Sequence, residues 1–96
     1  MDQYSPIYIN IPCPTTTEAQ KICRELLEQD LAGTAKIYPK VELFYKKEIN
    51  VDSEEVCIIN LKTTNINLSK IHEYILKKHS WGTPCIEVLS LQSDLC

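Results

Sequence analysis

Cys13, His79 and Cys85 are the residues of this chain whose types could do inorganic chemistry. Two thiols and an imidazole make a soft or borderline donor set, suited to Cu(I) or Zn2+. No local ligand pair joins them, so the fold must bring them together. A plainer reading makes both cysteines half-buried fillers and lets His79 end a helix. A nucleophile–base pair of Cys13 and His79 is a further alternative, although no third group is evident to orient the base. Other catalytic signatures are missing. The chain has two glycines, Gly33 and Gly82, and no G-x-S-x-G or phosphate-cradling loop. Its one arginine, Arg24, lies inside a helical pattern rather than after the first strand. A non-enzymatic protein is expected. Cys23 and Cys57 fall on apolar patterns and read as core, and Cys96 belongs to the tail.

The element that must position these groups is Glu54–Thr64, whose short run of largely β-branched apolar residues predicts a strand in a sheet interior. Before it, Ile7 to Ile11 alternate as a strand stopped by Pro12 and Pro14. Thr15 and Glu18 have capping-box spacing, each side chain accepting from a free backbone N–H. The helix that follows carries Ala19, Ile22, Cys23, Leu26 and Leu27 on one stripe. Thr34 to Lys46 predicts a long strand, with Pro39 requiring an edge position or a bulge. Residues 48–53 form the expected turn. Asn65 or Asn67 caps a second helix through about Lys78, with Leu68, Ile71 and Ile75 inward. Ile86 to Leu91 is a last strand.

The order β-α-β-β-α-β leads to a ferredoxin-like α+β sandwich, sheet order 4-1-3-2, with two helices on one face. In that topology Cys13, Tyr45, His79, Trp81 and Cys85 all fall towards one end of the sheet, while Lys62 closes the central strand at the other. Ninety-six residues make a single domain, with loose ends expected at 1–6 and 92–96. A net charge of -3 and scattered lysines argue against nucleic acid as a partner. No run approaches a membrane span and no signal peptide opens the chain. Five cysteines without regular spacing point to reduced thiols in a cytoplasmic setting.

Four segments carry a family likeness: Cys13-Pro14; Leu31-Ala32-Gly33 followed by Ile37-Tyr38-Pro39 and Phe44-Tyr45; Glu54-Glu55-Val56 through Lys62-Thr63-Thr64; and His79-Ser80-Trp81-Gly82-Thr83-Pro84 with Ile86. Their order and spacing, from Ile7 to Leu91, resemble the T-C-P, L-A-A…I-Y, S-E-E-V…I-K-T and H-P-Y-x-x-P motifs of the CutA family of divalent-cation-tolerance proteins. The resemblance implies a tight homotrimer, a pocket near the subunit interface, and a link to tolerance of copper and other divalent metal ions. It adds Tyr45 and Lys62 to the candidates, and with Trp81 these are the expected pocket lining. Cys13, His79 and Cys85 are the expected metal ligands. Thr34, Lys36 and Lys47 depart from the family's cysteine, asparagine and tryptophan. Cys85 replaces its glutamate, which shifts the expected ion towards softer metals. The family's terminal helix has no match up to Cys96. Trimeric PII signalling proteins share the fold and bind small anions between subunits, but residues 46–53 are short and acidic where an effector loop would be basic.

Overall fold

The computed structural model describes residues 4–92; of the loose ends expected at 1–6 and 92–96, residues 1–3 and 93–96, Cys96 among them, lie outside the described residues. The elements run β1 (Pro6–Cys13), α1 (Thr16–Glu28), β2 (Thr34–Lys47), β3 (Asn50–Thr64), α2 (Leu68–Lys78) and β4 (Glu87–Ser90), with a 3-10 turn at Asn65–Asn67 leading into α2. One four-stranded antiparallel sheet has the order β2-β3-β1-β4. This is the anticipated sandwich, with β3 in the interior.

Alternation decides the faces. Ile7, Ile9, Ile11 and Cys13 of β1 stand opposite Thr63, Leu61, Ile59 and Cys57 of β3. That parity meets Ala19, Ile22, Cys23 and Leu26 of α1 and Ile71 and Ile75 of α2 in one buried cluster. Burying each such side chain contributes roughly 1.5–3 kcal/mol. Leu27, expected on the α1 stripe, is 36% exposed. The opposite parity, with Tyr8, Tyr38, Ile58 and Leu89, has no helix over it among the described residues. On that open face the register partners Asn10 and Asn60 hydrogen-bond side chain to side chain (2.8 Å).

Several boundaries differ from expectation for physical reasons. β1 continues through Pro12 to Cys13. β4 reaches only as far as Glu87, opposite Asn10, so beyond that point β1 has a neighbour on one side only and a residue without N–H is tolerated. The turn after β2 occupies only Glu48 and Ile49, and Asn50 to Ser53 are already strand. Pairing from Tyr45↔Asp52 to Lys47↔Asn50 extends the ladder whatever the side chains are. Pro39 sits at a register shift between Tyr38 and Val41, on an edge strand, so both anticipated remedies occur together. Neither Asn65 nor Asn67 caps α2 through its side chain. Asn65 Oδ1 instead accepts from Ser5 N (2.9 Å), and Asn67 Nδ2 donates to Thr63 Oγ1 (3.2 Å).

β1 accompanies β3 only as far as Cys13↔Cys57. Beyond it, Val41–Lys47 and Asn50–Val56 form a two-stranded ribbon roughly 20–25 Å long. The ribbon helps give the molecule its 48 × 26 × 23 Å extents. Phe44, Ile49 and Val51 on it are 63%, 90% and 69% exposed.

Candidate metal centre

Cys13 ends β1 on the helix-facing parity, and His79 follows α2 as its C-cap residue. The topology carries both to the same end of the sheet, where Cys13 Sγ lies 3.5 Å from His79 Nε2. Both residues are buried, and the imidazole side chain is fully enclosed. A third group, Glu18 from the first turn of α1, completes the cluster. Its Oε2 is 3.6 Å from His79 Nδ1, and the ligand atoms of all three residues lie within 4.8 Å of one another.

Glu18 was expected to close a capping box. Thr15 does cap α1, its Oγ1 accepting from Glu18 N (3.2 Å). The carboxylate instead accepts from Ser80 N (3.0 Å) and so ties α1 to the loop after α2. The signal that would have exposed this is topological. Once α1 starts where α2 ends, a first-turn carboxylate faces the loop at 79–83.

The ring's partners assign its tautomer. Trp81 N–H donates to Nδ1 (3.1 Å), so that nitrogen offers its lone pair. Nε2 therefore carries the proton and donates to Pro12 O at 2.7 Å. The Trp81 ring lies against the imidazole, centroids 5.2 Å apart. Burial, helped by the nearby Glu18 charge, pushes the Cys13 thiol up to about 12. Burial also acts to raise the Glu18 carboxyl, but the Ser80 hydrogen bonds and His79 outweigh it and hold the group below its ordinary value.

A thiolate, a carboxylate and an imidazole suit a borderline divalent ion. One thiolate and one imidazole on a tetrahedral ion place sulfur and nitrogen about 3.6 Å apart, close to the 3.5 Å found here. The donor set fits a metal, at the cost of existing bonds: among the described residues no buried side-chain nitrogen or oxygen lacks a partner. To ligate, Cys13 must release its proton, and the His79 proton must move from Nε2 to Nδ1, where Glu18 can accept it.

The other anticipated residues fall elsewhere. Cys85 is exposed and outside the cluster. It lies two residues before β4 begins at Glu87, so no strand pairing holds it beside Cys13. Trp81 is beside the site and 42% exposed. Tyr45 is on the ribbon opposite Asp52, and Lys62 pairs with Tyr8 and Thr34 at the other end of β3, roughly 33 Å along the strand. One protomer therefore does not bring Tyr45, Lys62 and Trp81 into a common pocket.

Comparison with known proteins places these features in context. A family model described as CutA1 divalent ion tolerance protein matches residues 7–95. The divalent-cation tolerance protein CutA of Archaeoglobus fulgidus is 27% identical over 88 residues, covering 92% of this chain and 85% of that protein. The crystal structure of divalent ion tolerance protein CutA1 from Ehrlichia chaffeensis superposes with a TM-score of 0.87 at 26% identity, over 98% of this chain and 88% of that one. The structure of the periplasmic divalent cation tolerance protein CutA from Archaeoglobus fulgidus gives a TM-score of 0.85 at 27% identity, over 94% and 87% of the two chains.

Proposed function

The chain belongs to the CutA1 divalent ion tolerance family, and from that premise we propose that it is a non-catalytic homotrimer that binds divalent metal ions, copper among them, through Cys13 and His79. The observation that carries this reading is the buried juxtaposition of Cys13 Sγ and His79 Nε2 at 3.5 Å with the Glu18 carboxylate beside them. Trimer formation is supported by the uncovered sheet face and the apolar ribbon, both of which a second and third copy would cover. In that assembly Tyr45, Lys62 and Trp81 of different subunits would line a pocket near the interface. Exposed Cys85 remains available as a soft ligand from outside the cluster.

Two alternatives lose support. A thiol held at about 12 is almost wholly protonated at neutral pH, the reverse of what a nucleophilic cysteine needs. The two-residue turn at Glu48 and Ile49 offers no effector loop of the PII kind. Four free thiols among the described residues favour a reducing compartment, the cytoplasm, although the Archaeoglobus relative is named periplasmic. Among the described residues no helix is long and apolar enough to cross a membrane.

Isothermal titration with Zn2+ and with Cu2+ tests the reading. We expect saturable binding that weakens at least tenfold in Cys13→Ser and in His79→Gln. Unchanged affinity in both variants would remove the site.

A further inference from the structure

We propose that Glu18 sets the charge of the ion this site accepts, selecting divalent over monovalent cations; the role presupposes the Cys13–His79 ion site.

The carboxylate occupies the ring edge opposite the thiol. Cys13 Sγ is at Nε2 (3.5 Å) and Glu18 Oε2 at Nδ1 (3.6 Å). It is held there by the Ser80 N–H at 3.0 Å and is only 20% exposed, against an imidazole with no exposure at all. A charge so placed, with the enclosed imidazole on one side, is only partly screened by water, so the sum of charges at the centre matters. With Cys13 as thiolate, Glu18 as carboxylate and His79 neutral, the protein contributes two negative charges, which a divalent ion neutralises. A monovalent ion such as Cu(I) replaces the thiol proton charge for charge, so it gains nothing from the Glu18 carboxylate, which Ser80 already holds ionised. Without Glu18 the balance reverses: a lone thiolate–imidazole pair carries one negative charge and matches Cu(I), which its soft sulfur already favours.

Cys85 at this position would have strengthened the preference for soft ions. Glu18 in its place moves the preference towards harder, doubly charged ones. The group acts through the imidazole and through its charge, as a positioning and selecting residue.

Glu18→Gln isolates the charge, because the amide oxygen can still accept from Ser80 N and from a proton on Nδ1. Zn2+ affinity by titration and Cu(I) affinity by competition with a Cu(I) chelator would be measured for wild type, Glu18→Gln and Glu18→Asp. All proteins would carry Cys85→Ser and Cys96→Ser to remove outlying thiols, with folding checked by circular dichroism. Glu18→Gln should lose tenfold or more in Zn2+ affinity, the usual scale for a carboxylate behind a ligating histidine, while Cu(I) affinity holds or rises. Glu18→Asp, which keeps the charge, should retain the wild-type preference even if Glu18→Gln folds poorly. An equal loss for both ions in Glu18→Gln, or loss of the divalent preference in Glu18→Asp, overturns the inference and leaves the ion site standing. If wild type takes up neither ion, the site itself fails and Glu18 with it.

Discussion

Each ring nitrogen of His79 is held by a backbone group, Nε2 by the Pro12 carbonyl and Nδ1 by the Trp81 amide, and Cys13 is packed against the protonated edge. The pair is therefore a structural joint between β1 and the loop after α2, as well as a candidate ion site. Its thiol should leave a signature in alkali. Burial raises the Cys13 pKa from 9.0 to about 12, so the folded chain keeps a proton that the unfolded chain loses. The associated stability is complete below about pH 9 and is lost progressively as pH rises towards 12. Thermal midpoints recorded from pH 8 to 11 should fall more steeply in wild type than in Cys13→Ser, which has no thiol there to ionise. The meeting of Cys13 and His79 was legible in the sequence because it follows from topology alone. Glu18 was not, since T-x-x-E spacing is satisfied equally by a local cap and by a partner 62 positions away. Cys85 misled because the last strand begins only at Glu87, so the pairing expected to draw position 85 towards Cys13 does not reach it.

The elements themselves were readable where patterns were strong and the termini least so. Helix stripes and the apolar run of β3 declared themselves. The ends of β1 and β3 depended on which neighbours happened to be present, and no single segment records that. The bulge in β2 shows how far one residue can speak for a strand. Pro39 called for an edge or an irregularity, and the chain answers with Tyr38↔Ile58 followed directly by Val41↔Val56. Lys40 then takes φ 55, a left-handed conformation that costs an L-residue roughly 1–2 kcal/mol. Lys40→Val, with its β-branched side chain, should lower stability by about 1–2 kcal/mol relative to Lys40→Gly, which adopts this region without strain. Urea midpoints of the two variants at one protein concentration provide the check.

At the scale of the whole molecule, the helices cover one face of the sheet and, among the described residues, leave the other bare, and the ribbon extends apolar side chains past the body. Isolated two-stranded hairpins are marginal in water, and exposed apolar edges invite pairing. Three copies closing on one another would answer both problems. Sedimentation at micromolar concentration should therefore give about three times the 11.0 kDa of one chain. Phe44→Lys combined with Ile49→Lys should shift it towards a single chain, since those side chains are 63% and 90% exposed in the isolated fold. A species near 11 kDa for the unaltered protein would refute the trimer.

The point at which β3 parts from β1, at Cys57, has a consequence of its own. On the near side β3 is flanked by β1 as well as β2, and the helices pack against the sheet. On the far side the chain has only its own returning half for support. The boundary between what one copy can fold unaided and what it must owe to company thus falls beside the buried thiols, so that a change in how many copies are present would be felt within a residue or two of the centre that could hold a metal.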